Sequence, residues 1–491
     1  MSGTLVKLGP FQGGINTLND AASVADNELV DCINLEVDLD GSLVSRPPID
    51  IPSPGVTFDS RLIVIGSAII NGTNYLLGST NNAIWYYNGT VWAQITTGIS
   101  SYCAIQYRQP SVPTTSVWFI AAPGSSKKGG WWNPSAPTTL NSIAAMPDGY
   151  TGLIHKNRMY ITAGIVDAAG LGNRVYFSKP TDASIWSTPD GGTIDINVGD
   201  NQSITSLIVY NDSILVFKQE STFYLSFDTG PSQATIRKLS GAVGAPNRWC
   251  VVSFENSVFI YHRTSVYELL NYQFQKLNNK VIFAKDTSGG TYTEPVFCSI
   301  VDTRLIIRYY NTVYAFNLRT KSWSRFVSTR YYGPLTAYPS DTAGLDKYQY
   351  ISGSCISGNL GMFIMYTAPD VTARETFTCS VTTKIYDINL SEKFKRLFWW
   401  GVDINAVASV TGTLIPIVYN VTSTNTVNTS GALVGTANRR RFLRFAKGIR
   451  FRQLQFQISV STDGSTAQSP IRLYGISAFA TTHQTVSKAV T

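Results

Sequence analysis

Charge is scarce in this chain. Only 14% of its residues are charged, against 44% hydrophobic and 12% aromatic, which excludes a disordered polyelectrolyte and leaves enough apolar material to fill sizeable cores. Helical periodicity is also missing. No long amphipathic pattern with a 3.6-residue repeat runs anywhere, and the best short candidate, Asp26 to Asn34, is too brief to make a stable helix. Apolar runs stay well short of 18 residues, and Met1 to Pro10 holds no run of signal-peptide length, so no membrane insertion and a reducing cytoplasm at synthesis are the expectations. The six cysteines, Cys32, Cys103, Cys250, Cys298, Cys355 and Cys379, are far apart and form no Cys-x-x-Cys; they read as free thiols.

Chemistry-bearing motifs are equally sparse. The three histidines, His155, His262 and His483, lie far apart with no His-x-x-x-His to hold a metal. There is no Gly-x-x-x-x-Gly-Lys-Ser/Thr loop for phosphates and no Gly-x-Ser-x-Gly elbow for a nucleophile. A carboxylate pair fit for glycoside cleavage would have to be assembled by folding from distant residues. The expectation is therefore a protein that is not an enzyme, with no cofactor, no metal and no catalytic residue. Sequons such as Asn88-Gly89-Thr90 arise by chance in a chain this rich in Asn and Thr.

What is abundant is strand-forming residue types, and with them a repeat. From about residue 60 to residue 330 a turn, an apolar strand, a polar break and an aromatic-rich strand recur. Asn71-Gly72 precedes Tyr75-Leu76-Leu77 and Ile84-Trp85-Tyr86-Tyr87; Asn157 precedes Met159-Tyr160-Ile161; Asn211 precedes Ile214-Leu215-Val216-Phe217; Asn256 precedes Val258-Phe259-Ile260; Asp302 precedes Leu305-Ile306-Ile307. The last four turns are 54, 45 and 46 positions apart, near the period of about 40 to 50 residues of propeller blades. Asn and Asp suit such hairpin turns because they tolerate positive φ. Each unit makes a small antiparallel sheet that must cover both faces with its neighbours. The fold class expected is all-β: a β-propeller of about 5–7 blades over 51–370, an N-terminal arm over 1–50, and a C-terminal sandwich-like or platform β-domain over 371–491 that N-terminal strands could join. A large β-sandwich is the alternative. Within the C-terminal region, Ile449 to Ile458 and Ile471 to Ile476 alternate as half-buried strands, expected to pair across Thr462-Asp463-Gly464-Ser465.

The segment Phe11-Gln12-Gly13-Gly14-Ile15-Asn16, followed by Asn34, Gly41 and Arg46-Pro47-Pro48, resembles the opening of phage tail nozzle (tail tubular) proteins, and more broadly of minor tail proteins. The motif covers only about residues 9 to 50. The resemblance implies a structural virion protein of a bacteriophage tail: a homo-oligomer, hexameric in that family, docking to a tail adaptor or tube protein, carrying other tail proteins or fibres, and surrounding double-stranded DNA without sequence specificity. It implies location in the virion tail after synthesis in the bacterial host. A tail-tip or baseplate protein of a long-tailed phage is one alternative. The other is a carbohydrate-recognising or sialidase-like propeller, since Ser187 to Thr193 and Ser461 to Thr466 are similar in outline to the Asp-containing turns of sialidases, without that family's spacing or closing Trp.

The densest charge is the acid-free run holding Arg439, Arg440, Arg441, Arg444, Lys447, Arg450 and Arg452. These cations suit DNA phosphates in a channel or acidic residues of a neighbouring protein; equally, they suit a solvated strand face whose long side chains cover apolar surface. The interleaved Phe442, Phe445 and Phe451 alternate as strand core does and offer no stacking platform for single strands.

Overall fold

The computed structural model describes residues 3–50, 58–112, 116–162, 172–227, 230–283, 296–309, 312–328, 333–340, 347–353, 362–366, 376–387, 395–405, 411–419, 424–426, 429–431, 439–461 and 471–482. It is all-β: the helical residues among those described are two single 3₁₀ turns, Pro231–Gln233 and Arg248–Cys250.

Small antiparallel sheets follow one another along the chain, each a meander in which consecutive strands pair. Unit 1 comprises Ile63–Ile70, Thr73–Ser79, Ala83–Tyr87 and Trp92–Thr97; unit 2, Ser101–Tyr107, Ser116–Ala121, Gly130–Trp132 and Asn141–Ser142; unit 3, Thr151–His155, Arg158–Thr162, Arg174–Phe177 and Gly192–Asp195. Unit 4 comprises Ile204–Tyr210, Ser213–Lys218, Thr222–Ser226 and Thr235–Ser240, and unit 5, Val251–Phe254, Ser257–His262, Ser265–Leu270 and Gln273–Lys276. Unit 6 is Val296–Val301, Arg304–Tyr309, Thr312–Asn317 and Ser322–Phe326. Unit 7 takes three strands from the later part of the chain, Thr336–Ser340, Lys347–Gly353 and Met362–Tyr366, and its fourth, Ile49–Asp50, from near the N-terminus.

The turns behave as their residue types require. Asn71, Asn157, Asn211 and Asp302 take φ of 51°, 59°, 45° and 55°, a region that Asn and Asp enter more readily than other L residues. In unit 5 the positive φ falls on Glu255 rather than on Asn256.

The second strands of units 2 to 6 do not alternate between oily and wet faces; they bury both. In unit 1, Leu76 packs with Val64 and Trp92 on one side while its neighbour Leu77 packs with Ile65 and with Val117 and Trp132 of unit 2 on the other. Trp118 and Ile120 meet Met159 and Ile161 of unit 3; Tyr160 and Phe177 meet Ile214 and Val216 of unit 4. Leu215 and Phe217 continue into the core that units 5 and 6 share. Unit 6 faces the strand Ile49–Asp50 through Val301, Ile306 and Phe326, and Ser299 Oγ accepts from Leu335 N at 3.0 Å. The first strands of units 1 to 6 touch in succession, and the first strand of unit 7 touches that of unit 1.

Beyond the units lie two larger sheets. In the six-stranded one, Arg439–Phe451, Lys395–Asn405, Arg472–Thr482, Leu43–Ser45 and Leu35–Val37 lie in that order, with Gly3–Leu8 also paired to Arg472–Thr482. The eleven-stranded one continues from unit 6 through Glu28–Ile33 to Thr378–Thr383, Gln453–Ser461 and Thr411–Tyr419. The first fifty residues thus contribute strands to both large sheets and to unit 7.

The expected pairing across Thr462 to Ser465 does not form. Gln453–Ser461 pairs with Thr378–Thr383 and Thr411–Tyr419, whereas Arg472–Thr482 pairs with Lys395–Asn405 in the other sheet. The reason is a bend at Arg452, between Arg439–Phe451 in one sheet and Gln453–Ser461 in the other. The Arg452 carbonyl accepts from Lys395 Nζ at 3.0 Å, and the same buried ammonium donates to Asp387 Oδ1 at 2.9 Å. A lysine held in this way satisfies a carbonyl at the corner.

The packing of Ile49 against unit 6 makes a prediction. Ile49→Ala removes a 2% exposed side chain from the core between units 6 and 7 and should cost about 3 kcal/mol, read as a lower urea midpoint. Ile69→Ala, at a 56% exposed position, should move it by no more than about 0.5 kcal/mol.

Candidate functional site

The N-terminal motif is internal. Phe11 and Ile15 are buried in the main core. Gly14 sits at φ 65°, and a Cβ there would lie 2.8 Å from the Trp323 carbonyl oxygen, so this position packs against unit 6 only as glycine. At Gly13 a Cβ would strike the Glu28 side chain, and at Gly41, φ 80°, it would strike Pro10. Asn16 Nδ2 donates to Glu28 Oε2 at 2.8 Å, while its Oδ1 accepts from Leu18 N and Asn19 N.

Asn34 joins three regions. Its Oδ1 accepts from Arg46 Nε at 2.9 Å and from Val327 N at 2.8 Å, and its Nδ2 donates to the Thr378 carbonyl at 2.7 Å. Arg46 is wholly buried; Nη1 donates to the Pro47 carbonyl at 2.8 Å and the guanidinium lies 4.1 Å from the Phe377 ring centroid. Pro47 and Pro48 are buried beside it.

Carboxylates on the N-terminal strands are ion-paired across to the units: Glu28 with Lys280, Asp31 with Arg325, Glu36 with Arg304. Burial pushes the Glu28 carboxyl up, but the hydrogen bonds from Lys280, Asn16 and Ala25 outweigh it and hold the group below its ordinary value. At Asp31 burial wins over Arg325 and the carboxyl is raised. Asp190, in the turn with the sialidase-like outline, pairs with Lys179 at 3.2 Å while Arg158 Nη1 donates to its carbonyl. Among the described residues no group of three His, Cys, Asp or Glu could hold a metal, and Cys32, Cys103, Cys250, Cys298 and Cys379 are free thiols, with Cys355 outside the described residues.

Tyr102 and Tyr150, beside the starts of the first strands of units 2 and 3, stack at 5.4 Å and 14°. Arg248, from the turn preceding unit 5, lies 3.6 Å over Tyr102 and 4.5 Å from the Trp249 ring. The cluster ties three units together by ring and cation contacts.

The basic run lies on Arg439–Phe451 and the bend after it. Backbone register sets Arg439, Arg440, Arg441 and Arg444 opposite Ile404, Asp403, Val402 and Trp399; the side chains of Arg439, Arg440, Arg441, Arg444 and Lys447, with those of Phe442 and Phe445, lie outside the described residues. Phe451 is core, Arg450 is exposed and Arg452 is half-buried. Arg450 stands directly opposite Arg396, also exposed, on the neighbouring strand.

That pairing defines a face. Residues directly opposite across strands share one side of a sheet. Leu397, Trp400 and Val402 point into the core, with a bulge between Leu397 and Trp399 that turns Trp399 outward. Phe479 lies between buried Ala478 and Ala480 and is opposite both Trp399 and Leu5. Trp399 and Phe479 are half-buried and near-parallel, 6.1 Å apart at 11°, and Leu5 is 51% exposed. A row of apolar side chains therefore crosses three strands on the solvent side. Arg396, Phe479, Leu5 and Lys7 were not singled out by the sequence, because residues near 5, 396, 450 and 479 become neighbours only through strand pairing.

No known family model and no curated protein matches the chain. Solved structures similar to it include the extracellular domain of a putative hybrid two-component system from B. thetaiotaomicron, at 10% identity and TM-score 0.45, covering 72% of this chain and 42% of that one. PorZ, a surface component of the type-IX secretion system of Porphyromonas gingivalis, follows at 12% identity and TM-score 0.37, covering 75% and 46%. An exo-β-1,3-galactanase from Phanerochaete chrysosporium is similar at 10% identity and TM-score 0.28, covering 84% and 95%. The chain spans less than half the length of the two bacterial proteins.

These findings correct the expectation of a phage tail nozzle or minor tail protein, and with it the virion location. The similar structures are bacterial extracellular or surface proteins and a glycan-cleaving enzyme rather than tail components. The physical reason is plain in the motif that carried the resemblance: Phe11, Gly13, Gly14, Ile15, Asn16, Asn34, Gly41, Arg46, Pro47 and Pro48 serve internal packing and turns, which any chain threading its N-terminus through such a core would need.

The two described histidines generate a pH dependence. Burial is the main force holding the imidazoles of His155 and His262 below their ordinary value. The unfolded chain binds these protons near pH 6.5 and the folded one only at lower pH, so their contribution is full above that value and declines as pH falls through it. Thermal unfolding should occur at lower temperature at pH 5.5 than at pH 7.5. His155→Phe, which can keep the ring packing against Phe227 and Tyr160, should shrink that difference; an unchanged difference would remove His155 from the account.

Proposed function

We propose that this chain is a non-catalytic, carbohydrate-recognising protein built on a seven-bladed β-propeller. Units 1 to 7 are the blades, supported by first-strand contacts that run from unit 1 to unit 6 and again from unit 7 to unit 1, and by Ile49–Asp50 completing the last blade from near the N-terminus. Drawing the final strand from the N-terminus ties the two ends of the ring together, so that opening it must break a sheet as well as a core. The Tyr102, Tyr150 and Arg248 cluster sits where the first strands begin and braces blades 2, 3 and 5.

The observation that carries the recognition reading is the row Trp399, Phe479 and Leu5 on the solvent side of the six-stranded sheet. Flat aromatic faces beside polar strand positions suit a pyranose, which presents C–H groups to a ring and hydroxyls around its rim. The sheet holds these side chains on paired strands, so little ordering is left to be done on binding. Non-catalysis is supported by the state of the carboxylates: those of Glu28, Asp31, Glu36, Asp190, Asp200 and Asp387 each lie in an ion pair with a Lys or Arg of the same chain. Such pairing occupies their oxygens with cations of the fold, which suits structure better than a role in sugar cleavage.

The test is a screen of the full chain against an array of plant, fungal and bacterial oligosaccharides, with overnight incubation of each ligand followed by chromatography. Binding without cleavage is expected, and Trp399→Ala should weaken it at least tenfold with an unaltered circular dichroism spectrum. Release of shorter sugars would contradict the non-catalytic part, and silence across the array would contradict recognition.

A further inference from the structure

We infer that the sheet of unit 4 is a docking edge for another protein, which adds an extended acidic segment alongside the strand Thr235–Ser240. This edge lies on a different sheet from the Trp399 face and owes nothing to carbohydrate recognition. The chain carries its own template at unit 6. There the fourth strand, Ser322–Phe326, is joined on its far side by Glu28–Ile33, with Ile33 paired in parallel to Arg325. The Arg325 carbonyl accepts from Asn34 N at 2.8 Å, and the Arg325 guanidinium donates to Asp31 Oδ2 at 2.6 Å. A strand bearing a carboxylate thus lengthens the sheet, and one arginine of the fourth strand holds it by backbone and side chain together.

Unit 4 repeats the receiving half of that arrangement. In unit 6 Arg325 stands opposite Tyr314, the third residue of Thr312–Asn317; in unit 4 Arg237 stands opposite Tyr224, the third residue of Thr222–Ser226. Both of these strands open Thr-x-Tyr. Yet Thr235–Ser240 ends its sheet: among the described residues no strand pairs with its other edge. Thr235, Ile236, Arg237 and Lys238 are exposed in succession, whereas Ser322–Phe326, beside its added strand, is buried at every position but Arg325. Among the described residues neither Arg237 nor Lys238 makes an ion pair with an acid. Unpaired N–H and C=O groups along such an edge suit the addition of another strand. The other fourth strands are less suited: Asn141–Ser142 has two residues, Gly192–Asp195 engages its Asp195 with Arg174, Gln273–Lys276 has four residues and one cation, and Trp92–Thr97 carries no charge.

Charge selects the occupant. Cations guard an edge strand against its own kind, since a second copy laid antiparallel would set Arg237 and Lys238 against like charges. The same cations admit acids. Successive strand residues point to opposite faces, so a partner with two consecutive carboxylates meets Arg237 on the side of Tyr224 and Lys238 on the side of Ile236. On the first side Tyr272 lies 5.1 Å from Tyr224, and on the second Ile236 is 40% exposed, which gives apolar neighbours of those carboxylates a surface to cover.

The experiment is fluorescence anisotropy of the full chain with three labelled peptides: Thr-Val-Thr-Glu-Glu-Val-Thr, the same with Lys for both Glu, and the acidic one with Pro for both Val. Saturable binding of the acidic peptide that weakens with salt is expected, with at least tenfold weaker binding of the Pro form, which lacks ladder donors, and none of the Lys form. Arg237→Glu with Lys238→Glu should weaken the acidic peptide at least tenfold and create binding of the Lys form. An unchanged thermal midpoint would show that this variant folds; if it does not fold, Arg237→Gln with Lys238→Gln should show the same loss. Hydrogen exchange should slow at Thr235–Ser240 when the acidic peptide is bound. No binding of the acidic peptide, equal binding of the acidic and Lys forms, or a Pro form that binds as well as its parent would overturn the inference. So would unaltered acidic-peptide binding by the folded variant, or slowed exchange at Ser322–Phe326 in place of Thr235–Ser240.

Discussion

A buried guanidinium at the meeting point of three regions is the constraint on which the architecture depends. Arg46 has no solvent exposure, and removing such a group from water is tolerable only where its donors and ring faces are matched. The match comes from Asn34, Pro47 and Phe377. Asn34 in turn binds the backbone of Val327, just past unit 6, and of Thr378, in the strand that follows unit 7. Because Asn34 must adopt φ 58° to do so, a residue tolerant of that backbone and carrying both an acceptor and a donor is required at one position. The chain just past unit 6 and the eleven-stranded sheet meet the N-terminal segment at this contact.

Around that knot, charge fixes the N-terminal strands in register. Glu28, Asp31 and Glu36 lie on consecutive stretches of chain and pair with Lys280, Arg325 and Arg304 respectively. Ion pairs this sheltered add little net stability over apolar contacts of the same shape, yet breaking one leaves a costly lone charge. Their value here is selectivity: a slip of the N-terminal strands would separate all three pairs at once. The same logic governs Lys395 at the Arg452 corner and Lys218, which reaches Asp200 and Asn173 between units 3 and 4.

Much of the fold was legible because the repeat is a physical necessity. Runs such as Ile214-Leu215-Val216-Phe217 are apolar at every position, which means a strand covered on both faces, and the recurring Asn or Asp turn sets the spacing. The first unit, the fainter copy at Ser116 to Ile120 and the three Asn units at 157, 211 and 256 each fall on a four-stranded sheet, and the Asp302 unit on the start of the eleven-stranded one. The pairing of the last strands was misjudged for an equally physical reason. Alternation reports which side of a strand is buried and is silent on its partner, so Gln453–Ser461 and Arg472–Thr482 looked like a hairpin until a bend at Arg452 sent them to different sheets.

By itself the sequence determined strand content, turn positions, two-sided burial and the absence of a long helix, because each is a property of neighbouring residues and of their backbone preferences. It also marked the basic run as unusual. Only the tertiary structure decided that residues 1–50 are shared among two large sheets and unit 7, that the N-terminal motif is packing material, and that Leu5, Arg396, Trp399, Arg450 and Phe479 occupy one face. Those facts depend on contacts between residues up to several hundred positions apart, and such contacts are selected by the summed free energy of closing cores and satisfying buried polar groups, which no local pattern encodes.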